Sequence, residues 1–366
     1  MTDNSKFLIL DGSSLVYRAF FALPLLQTKQ GLYTNAVYGF TTMLLKVLED
    51  EKPAYVAVAF DKSKKTFRHK KYSEYKGRRE KTPQELSEQF SRVRDLLAAL
   101  QITVVETEGY EADDLIGTLA VSAQKSQLRP VIVSGDADVF QLVDTPADVI
   151  FTRRGITQVE RYNAEELQRK YGLTAKQFID YKGLKGDSSD NIPGVPGVGE
   201  KTALKLLAEF GTLEGVYEHL DEIKGKLRTN LADNREQAFL SKELATIITD
   251  VPLDFMPEHY ARQEPQLERL RKIYAQLEFN SLLDKLPQAD GGQDDIKSET
   301  YRQLTMAEWD EITSSIRQAA AVAVYPLPTL ASWQDELSGL ALAMETETIF
   351  LSFQDKQDAA RVFAVL

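Results

Sequence analysis

The first 165 residues predict an α/β fold with a mostly parallel central sheet covered by helices on both faces, and three observations carry this. Short apolar runs, KFLIL (6–10), PAYVAVAF (53–60), ITVVET (102–107) and RPVIVSG (129–135), read as strands. Helix-like segments alternate with them, the pattern that builds parallel sheets with covered faces. Acids follow the runs: Asp11, Asp61, Asp136 and Asp138 stand just beyond three of them. In open parallel sheets ligands bind at the carboxyl ends of the strands, so these four share one edge.

The elements follow in order. GSSLVYRAFFAL (12–23) is a helix after the first strand, and PQELSEQFSRVRDLLAAL (83–100) is an amphipathic helix starting at a favourable Pro83. ADDLIGTLAVSAQK (112–125) is a third helix, and DVIFTRRG and ITQVERY (148–162) add two shorter strands. From about 163 to 285 the pattern turns helical, interrupted by IPGVPGVG (192–199). PQADGGQDDIKSET (287–300) has a linker's composition. AAAVAVY (319–325) and GLALAMETETIFLSF (339–353) read as two strands of another α/β unit, short for a complete domain.

The composition excludes several classes. With no Cys and only His69, His219 and His259, disulfides, thiolate nucleophiles and zinc sites built on Cys or His are out. No apolar run approaches a membrane span, and the N-terminus lacks the pattern of a signal peptide, so a cytoplasmic protein is expected. The net charge is −11, with 44 Lys+Arg against 55 Asp+Glu, which by itself discourages a nucleic-acid partner. The charge is uneven, however. Residues 62–81, KSKKTFRHKKYSEYKGRREK, hold ten Lys/Arg and two acids, leaving −19 for the rest. Phe67, Tyr72 and Tyr75 interleave with the cations, and aromatic rings stack on bases. A mobile solvated loop explains the charge but not the rings.

The acids extend beyond the strand ends. GYEADDL supplies Glu111, Asp113 and Asp114 before an apolar helix, more than capping requires. KGDSSDN adds Asp187 and Asp190, whose three-residue spacing shares a face if the segment is helical. One Asp after a strand is commonly a turn or N-cap residue, and Asp11 stands where it could cap the helix that follows. Nine carboxylates at one edge would repel unless cations held them. Oxygen-only ligands suit Mg²⁺ or Mn²⁺, and two such ions can activate water against a phosphodiester. GVPGVGEKTALKLL fails as a nucleotide loop, because Glu200 separates Gly199 from Lys201. It reads better as helix, tight hairpin, helix, with Gly197 and Gly199 in the turn, backbone N–H groups on a DNA phosphate and Lys201 adding charge.

The blocks LDGSSLVYRAF, VAVAFD, YKGRR, GYEADD, SGDAD and YKGLKGDSSDNIPGVPGVGEKTA resemble the 5′-nuclease domain of bacterial DNA polymerase I, in the flap endonuclease superfamily, over roughly 5–285. The resemblance implies a PIN-like core at 1–165 with a basic arch at about 62–100 and a helix–hairpin–helix region at 166–286. It places Asp11, Asp61, Glu111, Asp113, Asp114, Asp136, Asp138, Asp187 and Asp190 on metal-site acids. It places Arg18, Tyr75, Lys76 and Arg79 around the 5′ end and scissile phosphate, with Arg18, Lys76 and Arg79 as the catalytic cations. It puts Gly197 and Gly199 in a hairpin that also binds K⁺. Residues 301–366 look like the start of the 3′-5′ exonuclease-like domain of the same polymerases. Tyr325 and Pro326 stand there in the first strand, which lacks the acid pair of an active site, while Glu345 and Glu347 fall in the second. The expected protein is a monomeric, Mg²⁺-dependent 5′-3′ exonuclease and flap endonuclease acting on 5′ flaps and nicked or gapped DNA, with a polymerase domain in cis. The rivals are a non-catalytic DNA-structure-binding module, which has no use for nine acids, and a phosphohydrolase of small esters, which needs no basic block.

Overall fold

The computed structural model describes residues 5–287 apart from 64, 80, 144–146 and 155–157. Beyond them it describes 302–304, 306, 308–309, 313, 316, 322–328, 337–343, 348–353 and 356–364. The chain divides into two units, Met1–Pro287 and Gln288–Leu366.

The first unit opens with β1 (Lys6–Asp11), α1 (Gly12–Ala22), α2 (Asn35–Glu51), β2 (Tyr55–Ala59), α3 (Phe67–Lys71), α4 (Gln84–Ser87), α5 (Gln89–Ala99) and β3 (Thr103–Val105). It continues with α6 (Ala112–Lys125), β4 (Arg129–Ser134), a 3₁₀ turn at Ala137–Leu142, β5 (Asp148–Arg154) and β6 (Gln158–Tyr162). The sheet order is β3-β2-β1-β4-β5-β6. All neighbours are parallel except β5 and β6, which pair antiparallel at the edge. Strand alternation explains the two-faced core. Phe7 and Ile9 of β1 join α6 in one apolar cluster, while Leu8 and Leu10 face α1, α2 and α5 in another. β1 lies centrally, so Asp11 at its carboxyl end is flanked by the ends of β2 and β4.

Two sequence expectations change here. The helix predicted from Pro83 begins one residue later and divides at Glu88 into α4 and α5. Val93, Leu96 and Leu97 of α5 are fully buried against the sheet, so the end of the 62–100 segment is core rather than arch. Apolar periodicity on α5 outweighed its neighbouring charge.

The helical region comprises α7 (Ala164–Tyr171), α8 (Ala175–Lys185), α9 (Glu200–Phe210), α10 (Leu213–Glu218), α11 (Gly225–Asp233) and α12 (Arg235–Ala245). Phe178, Leu206 and Leu231 share a cluster with Phe7 and Ile132 of the sheet, so region and sheet have one continuous core. α13 (Leu267–Gln276) and α14 (Asn280–Leu283) cover the opposite face.

In the second unit, β7 (Arg302–Leu304), β8 (Ala323–Pro328), β9 (Leu337–Ala343) and β10 (Thr348–Ser352) form a sheet of order β7-β10-β9-β8, followed by α15 (Lys356–Phe363). The expected single strand at 339–353 is a hairpin of β9 and β10, paired antiparallel. Tyr325 and Pro326 lie on β8. Most of the 287–300 linker, together with Glu345 and Glu347, lies outside the described residues. Among the described residues, no helix is long and apolar enough to cross a membrane.

Candidate nuclease site

A cleft of about 830 Å³ opens over the carboxyl ends of β1, β2 and β4. Asp11, Asp61, Asp113 and Asp136 line it, together with Arg18, Lys76, Arg79, Lys81, Arg153, Tyr17 and Phe21. Each acid is held by local backbone chemistry. Asp11 is the N-cap of α1, accepting from Ser14 N–H (2.9 Å) and from the Ser134 hydroxyl (2.7 Å). Asp61 accepts from Ala112 N–H (3.0 Å) at the start of α6, and Asp136 accepts from Asp138 N–H (3.0 Å). Asp113 stands in the first turn of α6, where the helix dipole favours an acid.

The nine expected acids do not form one cluster. Five of them are already paired with cations. Asp138 and Asp187 share Lys182, the second at 2.7 Å. Asp190 pairs with Arg79 and lies 3.7 Å from Lys76, and Glu111 lies 2.9 Å from the Lys76 ammonium. Asp114 is fully buried and does not line the cleft; the Arg68 guanidinium binds both of its oxygens (2.8 Å each). It also accepts from Glu111 N–H (3.1 Å) and Ile248 N–H (2.9 Å). Four bonds fill the acceptor sites of a carboxylate, so Asp114 has none left for a metal.

The shared helical face proposed for Asp187 and Asp190 is also corrected. α8 ends at Gly186, whose φ of +78° stops the helix, and a tight turn follows, closed by the Asp187–Ile192 bridge. The two acids therefore diverge, Asp187 to Lys182 and Asp190 to Arg79 and the Tyr75 hydroxyl (2.9 Å). Tyr75 is buried, 3% exposed, with its hydroxyl between Asp190 and Glu111, so it is not a free stacking surface. Its sequence neighbours gave it the look of a base-stacking ring; its packing against Ile192, Leu244 and Ala245 decides otherwise. The exposed aromatics at the cleft are Phe21, 70% exposed, and Tyr17, whose hydroxyl bonds Thr82. Sequence reading missed Arg68, Lys182, Ser14, Ser134 and Phe21. Burial of a cation was the missing signal for the first two, and it depends on contacts far along the chain.

Lys76 sits at φ +54°, left-handed backbone that is costly for a side-chain-bearing residue. Its N–H donates to Asp190 C=O (2.8 Å), which fixes that conformation. Arg18 reaches Gly135 C=O (3.1 Å) and Arg153 C=O (3.0 Å) across the top of β4. At the hairpin, Gly197 has φ +79°, while Gly199 is ordinary extended backbone capping α9 with open space where a Cβ would be. Of these two positions the turn thus demands glycine at Gly197 and not at Gly199. Lys201 is exposed in the first turn of α9.

Electrostatics separates the two groups of acids. Burial pushes the Asp11 carboxyl up to about 7, with Asp61 and Asp136 adding repulsion. Burial also raises Asp113, reinforced by Asp11 and Asp136, and burial raises Asp136. Asp187 goes the other way: burial opposes its charge, but Lys182 and Ser189 hold it down at about 2. Burial likewise opposes charge on Asp190, and Lys76 and Arg79 outweigh it. A carboxyl raised by folding binds its proton more tightly folded than unfolded. Metal-free protein is therefore expected to gain stability as pH falls from about 7 toward the ordinary carboxylate range, and to lose it as pH rises through about 7. Asp187 and Asp190 reverse the trend only below about pH 4. Thermal melts at about pH 5.5 and pH 7.5 check this, with a Tm gain of ~2–4 °C expected per kcal/mol. A higher Tm at the upper pH contradicts it.

The donors fit a hard divalent cation: they are oxygen only, they are crowded, and Asp11, Asp61, Asp113 and Asp136 have no ion-paired Lys or Arg among the described residues. As they stand, no three described acids close to chelating distance, so binding requires side chains to turn inward or water to bridge.

A parallel sheet whose carboxyl edge carries acids with no ion-paired Lys or Arg among the described residues, beside a cationic segment and a helix–hairpin–helix region, is the construction of a nuclease. Residues 6–172 match the family model of the 5′-3′ exonuclease N-terminal resolvase-like domain, and 173–268 that of its C-terminal SAM fold. The chain belongs to the 5′-3′ exonuclease family. It is 46% identical over 355 residues to DNA polymerase I of Bacillus subtilis, covering 96% of this chain and 40% of the relative. It is 51% identical over 282 residues to DNA polymerase I of Bacillus caldotenax, covering 77% and 32%. The chain thus spans well under half the length of these relatives. Among solved structures, the zinc-bound T5 5′-exonuclease superposes with TM-score 0.55 at 23% identity, covering 67% of this chain and 90% of that one. The catalytic core of Rad2 with DNA substrate superposes with TM-score 0.52 at 19% identity, covering 78% and 92%. These likenesses establish the fold.

Proposed function

We propose that residues 1–287 are a structure-specific 5′-nuclease that hydrolyses phosphodiesters at 5′ ends or flaps of duplex DNA with Mg²⁺ or Mn²⁺. One observation carries the reading: four carboxylates with no ion-paired Lys or Arg among the described residues line one open cleft together with Lys76 and Arg79. DNA polymerase I as the relatives' name and DNA substrate in the Rad2 complex support it.

Asp11, Asp61, Asp113 and Asp136 would hold the cation, with Asp138, Asp187 and Asp190 further out. When bound, the ion supplies an activated water and neutralises charge on the phosphate. The chain's own residues do the rest. Lys76 and Arg79 orient the scissile phosphate and stabilise its developing charge. Arg18 holds the strand's 5′ side, and exposed cations of the basic run, Lys62, Lys65, Lys70, Arg78 and Lys81, draw it across the cleft. Duplex docks at the Gly197–Lys201 turn and the start of α9 through backbone N–H groups, reading structure and not sequence. K⁺ at that turn, a monomeric state, a cytoplasmic location, and a polymerase domain in cis belong to the same proposal.

A labelled 5′-flap duplex with Mg²⁺ is expected to be cut to 5′-phosphate and 3′-hydroxyl ends, and EDTA to stop it. Binding without cutting favours the non-catalytic module, and turnover of a chromogenic phosphate ester alone favours the small-ester hydrolase. Flap binding in Ca²⁺ is expected to weaken with salt, with a log–log slope of about −3 to −4 if roughly four phosphates are neutralised. A flat profile contradicts the role of the basic segment.

A further inference from the structure

Arg68 lies in the basic run yet is only 2% exposed. Its guanidinium has five N–H donors, and all five have acceptors. Nε donates to Leu244 C=O (2.9 Å), Nη1 to Asp114 (2.8 Å) and Glu111 (3.4 Å), and Nη2 to Asp114 (2.8 Å) and Thr246 C=O (2.7 Å). One side chain thus fastens α3 to the start of α6 and to the chain leaving α12. The same Glu111 carboxylate takes Lys76 at 2.9 Å and the Tyr75 hydroxyl at 3.0 Å. Arg68 and Lys76 therefore meet at one acid, Arg68 from the buried side and Lys76 from the cleft.

We propose that Arg68 is a positioning residue: with Asp114 as its counter-ion, it fixes Glu111 and through it sets Lys76 in the cleft. The rate part of this rests on the 5′-nuclease reading; the tether itself does not. Lys at this position keeps the charge but has three donors and no planar fork, so it cannot make the five bonds.

The test uses the full chain carrying Arg68→Lys, and the pair Arg68→Gln with Asp114→Asn, which leaves no unpaired buried charge. Circular dichroism confirms the fold. Limited trypsin digestion, without DNA or metal, reads the tether. Cutting within 62–81 is expected to speed up by at least ~10-fold, following the rise in the locally open population. Single-turnover flap cleavage is expected to fall ~10²–10³-fold from misplacement, about as far as Lys76→Ala alone lowers it, with flap affinity in Ca²⁺ kept within about twofold. Arg68→Lys is expected to recover only part of the rate. Adding Lys76→Ala to the pair is expected to cost no more than about a further twofold, because its positioning is already lost.

Wild-type trypsin resistance of the segment in the folded pair overturns the tether. Undiminished cleavage, or a full multiplicative loss from Lys76→Ala, overturns the positioning role. Wild-type protein that leaves the flap uncut overturns the nuclease reading instead, and the trypsin result then decides the tether alone.

Discussion

Asp113→Ala is expected to reduce Mg²⁺-dependent flap cleavage by at least ~10²–10³-fold, the scale of losing one electrostatic stabiliser of a transition state. Asp113 is the cleft acid with the least competing obligation: no hydrogen bond engages it among the described residues, whereas Asp11 also caps α1 and Asp61 binds Ala112 N–H. Its carboxyl is pushed up by burial and by Asp11 and Asp136, so its charge is held at a cost that a divalent cation relieves. Replacing it removes repulsion from the metal-free protein, so Tm without metal is expected to hold or rise while activity falls. Flap affinity in Ca²⁺, measured by fluorescence anisotropy, is expected to change little. A variant that cuts at the wild-type rate removes Asp113 from the metal set.

Lys76→Ala is expected to lower the single-turnover rate by ~10²–10³-fold with a smaller effect on affinity. The ammonium serves two acids, Glu111 at 2.9 Å and Asp190 at 3.7 Å, and lies 5.1 Å from the Tyr75 ring centroid. Burial disfavours its charge, but Glu111 and Asp190 more than compensate and raise its pKa, so it stays cationic through the working pH range. Without it, Glu111 keeps only Arg68 and Asp190 only Arg79 among the described cations, so a phosphate approaching Arg79 meets more uncompensated negative charge. An effect confined to affinity makes Lys76 a docking residue only.

Much of this was legible in the sequence because apolar runs state their own ends. KFLIL, PAYVAVAF and RPVIVSG are strands whose alternating faces are both buried, and the acid after each must lie at the carboxyl edge. What was hidden was the pairing of charge. Arg68 looked like one of ten solvated cations, and its burial arises from Asp114, 46 residues away, and Leu244, 176 residues away. Lys182 carried no signal in the sequence, yet it neutralises Asp138 and Asp187. Charges counted along the chain gave nine equivalent acids; charges placed in space give four facing a cleft and five already bound. The left-handed backbone of Lys76 and the turn after Gly186 are also invisible to periodicity, since each is set by hydrogen bonds across the chain.

Crystals soaked in Mn²⁺ test the division of the acids most directly, because anomalous scattering locates the ion independently of activity. The expected peak lies in the cleft, about 2.0–2.6 Å from oxygens of two or more of Asp11, Asp61, Asp113 and Asp136, with the Arg68–Asp114 pair intact. A peak bound by Asp114, or one found only between Asp138 and Asp187 with Lys182 displaced, contradicts it.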